Sequence, residues 1–590
     1  MLKFSKTMGM LIMLVAAMFV ITACGGGDEA ATPSVEGHVN ESNFEEFIVV
    51  DVFSARANYQ GLQTGFFAQI VRELFNMELN IIAPNVAGGG DLLFQTRQAA
   101  GHLGDLIVVG AGGGTMQELV TGGLLLDMSP YLDPNGMLMT RFSDAVQNLN
   151  SIVTQDGVFG APMEVSMLPP TAPSEAVEPT FAPFLRWDLY AQLGYPEMHS
   201  LDDLLDVLEA MQALEPVTED GLPVFALSLF PDWDGIYMTA SRQPPGFFGY
   251  YGGTGYVLMR ADGGSIVSMI DEDSIMIDTL RFFNEAFRRG LLDPESATQT
   301  WSDVWTKYQN GQVLFSFWPW LGQAAFNTEE NVSRGRGFMV APIEGMRALS
   351  IGATPLGQPT LIGIGPNAQD PQRLAAFIDW LYSPEGIKAG GMLGAEVGPE
   401  GLTWEMRNGE PHLTDFGIRV LINGEDVPVP DEWGGGNWTD GANQINFPTT
   451  TLAEVNPDTG FPYYYALWPS VMRDFGSNPV VDDWRAHTGH MYTMELLRER
   501  DMLMVAPGAG FVIPEEPTEI ATLRGMIAGV VVPMSWQMVY ANSEAEFESL
   551  LSQMRERAYG LGLEQVLEFD FANAHYLNAL RREIEASYNN

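Results

Sequence analysis

Between residues 46 and 123 the spacing of apolar positions changes period several times. Residues 47–53 read as a buried strand, and Phe66, Phe67, Ile70, Val71, Leu74 and Phe75 then fall on one helical face. A strand is predicted over 79–83, a helix over 91–100, a strand over 106–109 and a helix over 115–121, ended by Gly122. Short strands alternating with helices of this length specify a mostly parallel sheet covered on both faces.

The pattern continues downstream. Ser200 followed by Asp203 forms a capping-box-like start to a helix carrying Leu201, Leu204, Leu205, Leu208 and Met211. A strand is expected over 224–230, a helix over about 273–289 with Gly290 as its stop, and another over 371–382 opened by Pro371. No repeat of 20 to 50 residues is visible, which sets solenoids and propellers aside. With 590 residues, 46% of them hydrophobic, the chain has material for more than one large core.

The first 23 residues have a different character. Lys3 and Lys6 precede an apolar run from Met10 to Ile21, followed by Thr22 and Ala23. A run of about a dozen residues falls short of the ~20 a membrane-spanning helix needs, so it reads as an export signal cleaved before Cys24. Cys24 is the only cysteine in the chain, which rules out an internal disulfide. Residues 24–42 lack an apolar pattern and read as a flexible tether. The formal charge of -46 opposes binding to phosphate backbones and anionic headgroups, so no nucleic-acid partner is expected.

Several segments carry a resemblance in a fixed order. They are Ile21-Thr22-Ala23-Cys24; Gly104-Asp105-Leu106-Ile107; Gly123-Leu124-Leu125-Leu126-Asp127; Gly157-Val158-Phe159-Gly160-Ala161-Pro162; and Arg186-Trp187-Asp188-Leu189-Tyr190. Arg289-Gly290-Leu291-Leu292-Asp293-Pro294, 311–320, Phe377-Ile378-Asp379-Trp380-Leu381-Tyr382-Ser383-Pro384-Glu385-Gly386 and 398–404 follow. Together they resemble the family 1 extracellular solute-binding proteins, in particular the larger LplA-like lipoproteins. The resemblance covers about 45–400 well, 521–585 moderately and 407–510 poorly.

That resemblance implies an α/β, two-lobed periplasmic-binding-protein-like fold of class II, with hinge strands crossing between lobes that are each a mostly parallel sheet flanked by helices. The first lobe is expected to hold 43–155 and 358–405, and the second 160–355 and 406–590. The implied function is capture of a carbohydrate, an oligosaccharide, for the permease subunits of an ABC importer. No catalysis, cofactor or metal is expected. The lipobox-like stretch implies acylation of Cys24 and anchoring on the extracellular face of the membrane.

Sugar recognition needs flat aromatic faces and convergent polar groups. Trp318 and Trp320 follow an apolar strand, and Asp232 and Trp233 follow the 224–230 segment; all four are candidate ligand contacts, with lobe core as the competing reading for Trp318 and Trp320. Tyr250 and Tyr251 are weaker candidates. In the first lobe Arg56, Asn58 and Tyr59 follow the first strand, at the usual binding edge of an open α/β sheet. Gly112 and Gly113, in the run 110–114, would offer backbone N–H groups. That run lacks G-x-G-x-x-G spacing and a Gly-Lys-Ser/Thr, so it is no nucleotide loop.

The alginate-binding members of the resembled family carry a calcium loop near 215–221. Here only Glu215, Glu219 and Asp220 supply carboxylates, too few for that loop. His487 and His490 lack a third strong metal ligand at helical spacing. A lipid-anchored glycan-processing enzyme, needing two carboxylates across one cleft, and a non-transporting sensor or adhesin are the competing readings.

Overall fold

The computed structural model describes residues 44–87, 90–391, 395–508 and 516–588. The signal segment, Cys24 and the tether lie outside the described residues.

The first unit is built on a six-stranded sheet. Ile48–Ser54 lies between two parallel neighbours, Met77–Ile82 and Leu106–Gly110. Gln358–Ile364 returns antiparallel beside Leu106–Gly110, Ala161–Met163 closes that edge, and Gly61–Leu62 closes the other. Residues 106–109 are buried throughout, as expected of a strand covered on both faces.

The covering helices follow the predicted apolar stripes. Gly65–Phe75 buries Phe66, Phe67, Val71 and Phe75 and ends at Asn76, whose φ of 47° puts it in the left-handed region. Pro371–Leu381 starts at an Asp370 cap, with Pro in its first turn. Its Arg373, 3% exposed, donates to the Glu46 and Asn76 carbonyls and so ties this helix to both ends of the sheet's entry loops.

The second unit has a mixed sheet. Phe184–Arg186 is flanked antiparallel by Phe315–Ser316 and Phe338–Val340. The expected strand over 224–230 is extended chain that makes only isolated parallel bridges, Phe225 to Val313 and Leu227 to Leu292. Around it one continuous core joins Leu204 and Leu208 of the Leu201–Leu214 helix and Leu280 and Phe283 of Ile275–Arg288. The same core takes in Val531, Leu551 and Val566 from the last three helices, Thr518–Val539, Glu544–Gly560 and Leu563–Tyr588. Ser200 caps its helix by accepting from the Asp203 N–H, as its sequence position predicts.

The chain crosses between the units several times, and the crossing segments bond to one another. The Ala353 N–H donates to the Ala172 carbonyl at 2.7 Å, the Glu164 N–H to Pro448 at 3.0 Å, and the Gly508 N–H to Pro170 at 2.9 Å. Thr354 donates its hydroxyl to the Glu164 carbonyl.

One expected boundary is corrected. The expected second lobe includes everything from 406 onward, yet Val420, Val427, Val429, Trp438, Ile445 and Phe447 belong to the core that contains Val50 and Val52. The Trp438 ring stacks on Phe66 at 4.8 Å, and Val397, Trp404, Trp468 and Val471 form a satellite core beside it. The second-unit core resumes at Val480 and Trp484. Apolar burial, which is non-directional, decides which unit an insertion joins, and here its rings match the first unit's outer helix.

Candidate functional site

The most distinctive side-chain group is aromatic and lies at one edge of the second unit. Trp318 and Trp320 stack at 4.6 Å with planes 20° apart, and Trp233 packs 5.6 Å from Trp320. Trp301 lies nearly parallel to Trp233 at 6.3 Å, and Trp305 follows at 5.4 Å. Trp318 is only 6% exposed, whereas Trp233 is 45% and Trp320 38% exposed. A buried ring thus carries two rings that are open to solvent.

Local hydrogen bonds hold these rings in place. Ser316 Oγ accepts from the N–H groups of Trp318 and Gly322, fixing the turn after its strand, and Trp318 Nε1 donates to Gln243. Asp234 accepts from the Thr239 N–H at 2.8 Å and from Trp536 Nε1 at 2.7 Å. Burial pushes the Asp234 carboxyl up from its ordinary range, against these two donors. Asp232 accepts the Trp301 N–H at 2.8 Å, which welds the 231–235 turn to the start of the Trp301–Gln309 helix. The Trp301 indole N–H is buried and finds no acceptor among the described residues.

Topology tells which way this edge faces. Ser316 pairs with Phe184, close to where the crossing chain enters the second unit, and the Ala182 N–H donates to the Phe317 carbonyl. The aromatic turn therefore lies on the edge from which the chain crosses to the first unit. In the first sheet, Gly110 pairs with Thr360 at the start of the strand that arrives from the crossing segment, and the Ala111 N–H donates to the Pro359 carbonyl. Gly110–Gly114 and the segment after Ser54 accordingly sit on the matching edge of the first unit, since Ser54 is registered with Val108.

That matching edge is chemically different. A Cβ built on Gly112 or Gly113 would meet no heavy atom within 4 Å, and Gly113 has φ +62°. Asn58 is exposed. Arg56 donates through Nε to the Asn446 carbonyl at 3.3 Å, Asn446 returns a bond to the Arg56 carbonyl at 2.6 Å, and Ser54 Oγ bonds the Ile445 carbonyl. Arg56 also lies near the buried Glu164 carboxyl, which burial pushes up and the guanidinium pulls down. The insertion that packs on the first unit thus supplies part of this edge.

No protein-family profile matches the sequence, and no curated protein matches it. Solved structures do match in fold. The alginate-binding protein AlgQ2 aligns over 90% of this chain and 99% of its own, with TM-score 0.55 and 16% identity. An HMO-binding, ABC-transporter-associated solute-binding protein of Bifidobacterium longum infantis aligns over 89% and 98%, with TM-score 0.54 and 14% identity. The S. pneumoniae ABC-transporter substrate-binding protein FusA, solved with kestose, aligns over 91% and 100%, with TM-score 0.54 and 13% identity. The chain has the two-lobed fold of the extracellular solute-binding proteins.

Within that fold the sequence-predicted residues divide. Trp233, Asp232, Trp318 and Trp320 come together on the second lobe, and Arg56, Asn58, Gly112 and Gly113 share the first-lobe edge. Tyr250 does not join either group. It opens the Tyr250–Thr254 strand of a three-stranded sheet, is registered with Arg260, and its hydroxyl meets Ser265 at 3.2 Å. Tyr251 is buried under Arg581. Sequence reasoning missed Trp301 and Trp305, although the Thr300–Asp303 capping box places them at the first and fifth positions of one helix, hence on one face.

The joint between the lobes holds four buried carboxyls. Burial raises Glu164, Glu175 and Glu454, and pushes Glu178 up to about 7. Ser166 Oγ donates to Glu454 at 2.5 Å, Ser350 donates to Glu175, and Gln323 donates to Glu178 at 3.4 Å, with Tyr464 of the first-lobe insertion nearby.

A groove of about 490 Å³ lies at the opposite end of the second-lobe sheet, lined by Asp188, Glu215, Glu219, Arg334 and Arg336. Its charges neutralise one another: buried Arg186 pairs with Asp188 and Glu215, while Arg336 bridges Glu215 and Glu219. His487 stacks on Tyr195 at 4.0 Å and His490 Nδ1 meets the Thr488 carbonyl, so the two histidines serve separate contacts. Among the described residues no group of three or more His, Cys, Asp or Glu is placed to hold a metal ion, and no helix is long and apolar enough to cross a membrane.

Proposed function

We propose that this protein captures a carbohydrate, an oligosaccharide, between its two lobes and presents it to the permease of an ABC importer. The observation that carries this reading is the run of tryptophans on the second-lobe edge that borders the crossing segments. Exposed indole faces suit the C–H faces of sugar rings, and Asp232 with the backbone of the facing glycine loop suits hydroxyl groups. Ligand bridging both edges would favour the closed arrangement by its differential contacts, with no bond made or broken. The names of the fold neighbours, which bind alginate, HMO and kestose, support a carbohydrate ligand.

Ile21-Thr22-Ala23-Cys24 supports anchoring of the mature chain through acylated Cys24 on the outer face of the cell membrane. The test of capture is a thermal-shift screen against a panel of neutral and acidic glycans, because a ligand that binds only the native state raises its apparent stability. Stabilisation by an oligosaccharide recovered intact is expected. Recovery of a cleaved glycan, or no response across the panel, would overturn the reading. For the anchor, labelling with a radioactive fatty acid should mark the wild-type chain and not Cys24→Ala.

A further inference from the structure

The tryptophans do not end at the rim. Trp233 and Trp320 are the two open rings, but Trp301 lies nearly parallel to Trp233, and Trp305 continues the row one helical turn on. Both Trp301 and Trp305 are partly exposed. The capping box that starts their helix and the Asp232 bond to the Trp301 N–H fix this row relative to the 231–235 turn. A ligand confined to one ring pair would leave Trp301 and Trp305 unused and part-exposed, at a cost in apolar surface left in water.

The charges beside the row have one sign. On the segments that carry the rings, the ionisable side chains are Asp232, Asp234 and Asp303. Lys307, further along the same helix, is held by Asp293 at 2.7 Å and Glu295 at 2.6 Å. On the facing edge the one basic side chain in 54–60 and 110–115 is Arg56, already beside Glu164 and bonded to the Asn446 carbonyl. An anionic sugar would approach Asp232 and Asp303 as well as Asp234, with exposed Arg56 as the single cation on those facing segments to meet it, so the local balance is acidic.

From the row and its charges together, resting on the carbohydrate reading above, we infer that the ligand is an uncharged oligosaccharide longer than a disaccharide, with Trp301 and Trp305 forming a distal subsite that reads chain length. Uronate chains, such as the alginate named for one fold neighbour, should bind more weakly than neutral chains of the same length.

The test is isothermal titration of the full chain with neutral gluco-, manno-, galacto- and fructo-oligosaccharides from disaccharide to pentasaccharide, and with oligouronates of the same lengths. In one neutral series affinity should rise about tenfold from disaccharide to tetrasaccharide. Trp301→Ala and Trp305→Ala should each remove about five- to tenfold of the tetrasaccharide affinity while leaving the disaccharide within about twofold. Trp301→Phe and Trp305→Phe, which keep a ring, should restore part of it and guard against misfolding. Oligouronate binding equal to or tighter than neutral binding, or a length dependence untouched by these variants, would overturn the inference while leaving carbohydrate capture standing. Failure of every glycan would sink both.

Discussion

The two edges that border the crossing segments are built on opposite principles. The second-lobe edge is made of side chains: Trp320 rests on buried Trp318, which Gln243 anchors, and Trp233 is framed by Asp232 and Asp234. The first-lobe edge is made largely of backbone, with Gly112 and Gly113 open to solvent and Arg56 tied to a carbonyl of the insertion. Rigid aromatic surface supplies contact area at little conformational cost, whereas backbone N–H groups supply direction but little area. In the proposed function, then, affinity resides on one lobe and the other lobe reports that a ligand has arrived.

The largest effect should come from the aromatic edge. The double variant Trp233→Ala/Trp320→Ala is expected to lose at least about 100-fold in oligosaccharide affinity by titration, some 3 kcal/mol, with circular dichroism unchanged. Retention within a few-fold would break the asymmetry.

Next in size is the joint. Glu178 has a folded pKa of about 7, above the ordinary 4.5, so the native state holds its proton longer than the unfolded chain does. Below about pH 4.5 the group costs nothing; stability is lost as pH rises to about 7, and the deficit, roughly 3 kcal/mol, stays constant above it. Glu178→Gln should therefore melt several degrees higher than wild type at pH 8 and at the same temperature near pH 4.5. A difference that is flat with pH would contradict a protonated Glu178.

Gly113→Ala is a smaller perturbation. The new Cβ meets nothing, so only the left-handed backbone at φ +62° resists, at about 1 kcal/mol. Ligand affinity should fall less than fivefold; a loss as large as that of the double tryptophan variant would move the main contact to the first lobe. Smallest of all, Tyr250→Phe should change neither affinity nor melting beyond about 0.5 kcal/mol, because its hydroxyl gives up one partly exposed bond to Ser265.

Much of the first sheet was legible because its periods are clean. The helix predicted over 115–121 has those bounds, and the strand predicted over 106–109 extends by one residue. The second-lobe sheet was less legible, since strands of two or three residues carry no period, and the apolar run at 224–230 is buried without becoming a strand. Trp233 and Trp320 stand out as candidate contacts through their position after apolar segments, and Tyr250 as a weaker one; exposure of the two indoles and the pairing of Tyr250 with Arg260 come only from the fold. The placement of 420–447 depended on Trp438 meeting Phe66, a contact between residues far apart in sequence for which local pattern holds no signal.

That last contact bears on how the chain matures. Ser54 bonds Ile445 across 391 positions, and in the other half Tyr256 bonds Asp570 across 314. At a synthesis rate of roughly 5–20 residues per second, the opening strand waits on the order of 20–80 s for its distant partner to be made. Each half therefore gains these closing bonds only after residues 445 and 570 have been made.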